Sequence, residues 1–128
     1  IFMEKTNESI EDYLERILML NEKGNNNVHA IHIAVMMGYS KASVSIALKK
    51  LESLGYITIN EHHVITLTEA GKKIAVETYE RHRTIGNFFT SLGVDPEIAY
   101  KDACKIEHDL STETYQALKL FLQKMKAI

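Results

Sequence analysis

Six side chains of metal-ligating type fall into three short groups along a chain of 128 residues. Asp12 and Glu15 stand three apart, Cys104, Glu107 and His108 follow the i, i+3, i+4 spacing, and His82 lies between the two groups. On a helix, residues three and four apart share a face, so each group presents its donors on one side. If the three groups converge, they offer carboxylate oxygens, imidazole nitrogens and a thiolate, the mixed donor set of a divalent first-row metal site. So many anionic groups gathered without a cation would be electrostatically costly. Each residue also has a structural role open to it. Asp12 stands three after Ser9 and could be the acidic half of a capping box, with Glu15 a solvated charge. Cys104 could be a small buried hydrophobe. Glu107 and His108 could be helix-surface residues, and His82 a core histidine bonded to a carbonyl. His29, His32, His62 and His63 have no carboxylate or thiol at ligand spacing and are assigned to the surface.

The elements that must carry these residues follow from apolar periodicity. Ile10, Tyr13, Leu14, Ile17 and Leu18 trace one face of an amphipathic helix, with Ser9 as its N-cap and Gly24 to Asn27 as its end. At about 100° per residue, Asp12 and Glu15 fall opposite that stripe. A short helix over 28–37 follows; Gly38 turns the chain into a third over 40–54, apolar at Val44, Ala47, Leu48, Leu51 and Leu54. Two β-branched runs, Tyr56-Ile57-Thr58-Ile59 and Val64-Ile65-Thr66-Leu67, separated by Asn60-Glu61-His62-His63, read as a hairpin. Thr68 caps a long helix to about Leu92 that carries His82 beside Thr78, Ile85 and Phe89. Asp95-Pro96 opens a fifth helix bearing Cys104, Glu107 and His108 opposite Ala99, Ala103, Ile106 and Leu110. Ser111 opens a sixth, with Tyr115, Leu118, Leu122 and Met125 on its apolar side. The expected fold is mostly α, an N-terminal winged helix-turn-helix over 4–75 followed by an all-helical metal-binding and dimerisation lobe over 76–128.

Three helices and a hairpin place the third helix in a DNA major groove, with the hairpin flanking the backbone. Opposite its apolar stripe that helix shows Lys41, Ala42, Ser45, Ile46 and Lys49, with Ser43 and Lys50 at the margins. Small residues allow close approach to base edges, hydroxyls bond phosphates or bases, and lysines neutralise phosphate. An exposed Ile46 reads no base hydrogen bond; it touches a thymine methyl or packs.

The formal net charge of −2 argues against sequence-blind polyanion binding but not against a local basic face. A hydrophobic content of 45% with 25% charged residues fits an ordinary globular protein. The chain has no apolar run long enough to span a bilayer, the first residues do not read as a secretory signal, and Cys104 is the single cysteine. Those features suggest a reducing cytoplasm. Ile1 and Phe2 precede a methionine and are set aside. No nucleophile motif or substrate pocket is legible, so an enzyme is not expected. The competing reading is a winged-helix regulator that answers to a small molecule or a partner, with no metal requirement.

The motifs Ser9-Ile10-Glu11-Asp12-Tyr13-Leu14-Glu15, Tyr79-Glu80-Arg81-His82 and Cys104-Lys105-Ile106-Glu107-His108-Asp109-Leu110-Ser111, with a winged helix after the first, resemble the diphtheria-toxin-repressor (DtxR) family. The resemblance runs from about Glu8 along nearly the whole chain. With an acidic pair in the first helix and no SH3-like segment, the chain is similar to the short, manganese-responsive branch. The resemblance implies Asp12, Glu15, His82, Cys104, Glu107 and His108 as metal ligands, and Ser40, Ala42, Ser43 and Ser45 as the DNA-facing start of the recognition helix. It further implies a cytoplasmic homodimer that binds a palindromic double-stranded operator and controls metal-uptake genes, and no membrane partner. Two departures stand out. The manganese branch has glutamate where this chain has Cys104, and the iron branch has methionine where it has Asp12. The ancillary acidic and histidine positions of the iron branch fall on Gly86 and Tyr100. The expected ion is Fe(II) or Mn(II), leaning to Fe(II), with Zn(II) and Co(II) as further candidates.

Overall fold

A computed structural model describes the backbone of residues 2–127 and the side chains of residues 8–126. Its elements, in chain order, are α1 (Phe2–Glu22), α2 (Ala30–Met37), α3 (Lys41–Ser53), β1 (Ile57–Ile59), β2 (Ile65–Leu67), α4 (Glu69–Ser91), α5 (Pro96–Ile106) and α6 (Thr112–Ala127). The chain divides into two compact units, Ile1–Glu77 and Thr78–Ile128, and α4 contributes residues to both.

The first unit is the expected winged helix-turn-helix. Ile10, Leu14, Ile17 and Leu18 of α1, Ile33 of α2, and Val44, Leu48 and Leu51 of α3 are all buried. Gly38 ends α2 in the left-handed region at φ 71°, and its N–H bonds back to Ala34 O. Ser40 then caps α3, its side chain accepting from Ser43 N at 3.1 Å. β1 and β2 pair antiparallel with Ile57 opposite Leu67 and Ile59 opposite Ile65. Ile57 and Ile65 face the core while Thr58 and Thr66 face out, the period of a half-buried hairpin. At the wing tip Asn60 Oδ1 accepts from His62 N at 2.9 Å and Val64 N at 3.0 Å. Thr68 joins wing to helix: its hydroxyl donates to Gly55 O at 2.7 Å and accepts from Gly71 N at 3.2 Å. Gly71 is required there, because a Cβ would stand 2.0 Å from Tyr56 O.

Three expectations are corrected in this unit. α1 is already helical before Ser9, so Ser9 is no N-cap and the capping-box role of Asp12 falls. The second helix starts at Ala30, not Val28. Val28 is instead a bridge partner of Ile65, whose N–H donates to Val28 O at 2.8 Å, and its side chain is fully buried. A β-branched residue beside a polar loop has no periodicity to mark it, and pairing to a strand far along the chain decided its role. His29 and His32 are not idle surface residues: His32 Nδ1 accepts from His29 N at 2.9 Å and closes the start of α2.

In the second unit α4 supplies Thr78, His82 and Ile85 to the interior, and α5 supplies Ala99 and Ala103. Asp95 caps α5 by accepting from Glu97 N at 3.1 Å, with Pro96 in the first turn. Ser111 Oγ accepts from Thr114 N at 3.1 Å and opens α6. Tyr115, on the buried side of α6, shares a 3.2 Å hydrogen bond with Thr84 Oγ1 and donates to Glu80 Oε1 at 3.2 Å. Among the described residues, no single helix is long and apolar enough to cross a membrane.

Candidate functional site

The second unit gathers four of the six expected ligands. His82 comes from the middle of α4 and Cys104 from the last turn of α5. α5 ends at Ile106, so Glu107 is its C-cap and His108 lies in the following turn rather than on the helix. Arg81 braces that turn: its Nη1 donates to Glu107 O at 3.0 Å and Leu110 O at 2.9 Å. Those contacts satisfy carbonyls that a continuing helix would have bonded itself. The guanidinium also lies 4.8 Å from the Tyr115 ring centre, held by cation–π attraction. Glu107 keeps helical backbone angles, which is why the spacing from Cys104 still aims both side chains the same way.

His82 Nδ1 is 3.0 Å from Glu107 Oε2 and 3.4 Å from Cys104 Sγ. One donor atom from each of these residues lies within 4.8 Å of the others. His108 Nε2 stands 3.3 Å from Glu107 Oε1, yet that oxygen accepts no hydrogen bond among the described residues although Glu107 is fully buried. Burial works against the imidazolium of His82, but hydrogen bonding and attraction from Cys104 and Glu107 outweigh it and push its pKa up from 6.5 to about 10. Burial likewise opposes ionisation of Glu107, and the neighbouring His108 and His82 imidazoles overcome it, holding the carboxyl below the usual range. A buried, ionised carboxylate with an unused oxygen beside an imidazole and a sulfur fits a divalent cation.

Asp12 and Glu15 belong to the first unit, one turn apart on α1. Asp12 is half-buried, and Glu15 is fully buried rather than on the solvated face opposite the apolar stripe. Arg16 Nη1 donates to Glu15 Oε1 at 3.1 Å and partly offsets its charge. Periodicity reports which residues of one helix share a face, not what packs on the other face; the burial of Glu15 rules out the alternative of a solvated charge.

Where the iron branch would have an ancillary site, the Tyr100 ring lies over Gly86: a Cβ at 86 would come within 2.2 Å of it. Tyr100 OH donates to Asn87 Oδ1, and its ring centre is 5.6 Å from that of His82. A tyrosine ring therefore walls the pocket of His82 on that side.

The residues expected to face DNA are exposed as a set. Ser40, Lys41, Ala42, Ser43, Ser45, Ile46 and Lys49 all reach solvent from the cap and outer face of α3. A cavity of about 640 Å³ between this helix and the wing is lined by Lys41, Ser45, Lys49, Ile59 and His63, among others.

Residues 5–64 match the family described as iron dependent repressor, N-terminal DNA binding domain, and residues 68–127 match iron dependent repressor, metal binding and dimerisation domain. The chain belongs to the iron-dependent repressor (DtxR) family. Within that family it is 40% identical over 118 residues to the transcriptional regulator MntR of Escherichia coli O157:H7, covering 91% of this chain and 75% of the relative. It is 38% identical over 120 residues to an uncharacterised HTH-type transcriptional regulator of Methanocaldococcus jannaschii, covering 93% and 96%. A solved manganese-dependent transcriptional repressor in complex with manganese superposes with a TM-score of 0.82 at 26% identity, over 89% of this chain and 52% of that one. The chain thus spans about half the length of that solved repressor.

Proposed function

We propose that this protein is a metal-dependent, DNA-binding transcriptional repressor acting as a homodimer in the cytoplasm. The observation that carries the reading is the meeting of His82, Cys104 and Glu107 donors within 4.8 Å, beside His108, in a chain whose other unit is a winged helix. In this reading Asp12, Glu15, His82, Cys104, Glu107 and His108 hold the ion. A bound divalent cation supplies the positive charge that offsets the carboxylates and the sulfur. The residues of the chain do the rest. His82 would hold the ion through its neutral ring and Glu107 through its buried carboxylate, while Arg81 keeps the 107–110 turn in place.

Because the ligand set draws on residues of both units, ion affinity and DNA affinity depend on one another. In a symmetric dimer the two α3 helices must meet successive major grooves, about 34–36 Å apart, on a palindromic operator. Carboxylates suit Mn(II) or Fe(II), and a thiolate suits softer ions, so Fe(II) is the ion that both halves of the set accept. Mn(II) is the ion named for the manganese-dependent repressor, and metal-uptake genes are the proposed targets.

The test is fluorescence anisotropy with duplex DNA from the gene's own promoter, titrated anaerobically with Mn(II), Fe(II), Co(II) and Zn(II), with and without chelator. The expected result is tight binding with metal that chelator reverses. Tight binding indifferent to chelator would overturn the reading in favour of a winged-helix regulator that answers to a small molecule.

A further inference from the structure

The outer face of α3 is defined by what it lacks. In the major groove Arg and Lys read guanine, Asn and Gln read adenine, and apolar side chains read the 5-methyl group of thymine. α3 (Lys41–Ser53) contains no Arg, Asn or Gln. Two of its start residues are occupied with one another: Ser40 Oγ accepts from Ser43 N at 3.1 Å and donates to Ser43 Oγ at 2.9 Å. The lysines at 41, 49 and 50 are flexible point charges suited to phosphate.

What the face does present is Ile46, which leaves 72% of its surface in solvent, one turn after the exposed Ala42. The core of this unit takes Val44, Leu48 and Leu51 from α3, so Ile46 is not held out by any packing need of its own helix. Ser45 and Lys49, both exposed, stand near it on the outer side of α3. An isoleucine there gains free energy only when an apolar group covers it, and the apolar group that a B-DNA major groove offers is the thymine methyl.

We propose that Ile46, with Ala42, reads a thymine 5-methyl group in each operator half-site and is the principal base-discriminating side chain of α3. The inference rests on the DNA-binding reading above and adds the base that is recognised. It predicts an operator in which removing one methyl per half-site matters as much as changing a base pair.

The experiment begins with a duplex selected from a random library by the Mn(II)-loaded protein, then replaces each thymine singly by deoxyuridine, which removes only the methyl. For the wild type, one position per half-site should lose about fourfold in affinity, the worth of one buried methyl, and the symmetric double replacement about fifteenfold. For Ile46→Ala the loss at that position should vanish while other positions keep their values. Tolerance of deoxyuridine at every position, or a penalty that persists in Ile46→Ala, overturns the inference and leaves metal-dependent DNA binding standing. Failure of the library to enrich any sequence with either Mn(II) or anaerobic Fe(II) overturns both.

Discussion

His82, a proposed ligand, carries a proton in the metal-free protein. With its pKa raised to about 10, it is an imidazolium at neutral pH in the metal-free protein. The sign follows directly: the folded value lies above the ordinary 6.5, so this proton stabilises the metal-free fold fully below about pH 6.5, and that support is lost as pH rises through about 10. An ion needs the neutral ring and must displace the proton. Calorimetry of Mn(II) binding near pH 7.5, in buffers of differing ionisation heat, should report at least about one proton released per ion, and apparent affinity should rise about tenfold per pH unit per proton. Release of none would contradict the assignment of His82. In the proposed site, Cys104 would set the choice among ions. Cys104→Glu replaces a soft donor by a hard one and should move the ranking of DNA-activating metals towards Mn(II). An unchanged ranking rejects that role.

At the scale of elements, Arg81 and the Gly86–Tyr100 contact position the ligands without being ligands. Arg81→Met keeps the stem and removes the donors to Glu107 O and Leu110 O. Loss of such supporting bonds should weaken ion binding by about 10–100-fold. Unchanged affinity would show that the turn holds its shape unaided. Gly86→Ala forces the Tyr100 ring aside and should cost about 1–3 kcal/mol in urea unfolding. Tyr100→Ala in the same chain removes the clash, so the double variant should be less destabilised than the sum of the two singles.

These elements also show what the sequence made legible. Caps written in single residues, such as Thr68, Asp95-Pro96 and Ser111, matched the helix starts because each satisfies backbone donors locally. The identities of Cys104, Glu107, His108 and His82 marked a cluster that the fold of the second unit does assemble. Arg81 stands in the motif Tyr79-Glu80-Arg81-His82, but its role is not legible there because its partners are backbone carbonyls 26 and 29 residues away. Val28 and the end of α5 were misread for the same reason: long-range bonds, not local pattern, decide them.

For the molecule as a whole, the second unit keeps large apolar side chains in water. Ile98 of α5 and Phe121 of α6 are 55% and 51% exposed, whereas Leu118 and Leu122 are half-buried. Phe121 also packs edge-on against Phe88, with ring centres 6.4 Å apart. A homodimer would cover such a face, and Ile98→Glu should shift sedimentation towards monomer without loss of helix. A variant that sediments as the wild type does would remove Ile98 from the interface. Half-site spacing makes the dimer part of recognition, so the same variant should also lose operator affinity.

The central claim is that ion and operator bind to the same state of the protein. It is tested most directly by titrating Mn(II) into the protein calorimetrically, with and without saturating operator duplex. The duplex should tighten ion binding by about 5–150-fold, and by the same factor that Mn(II) tightens duplex binding. Ion affinity that is indifferent to DNA would contradict it.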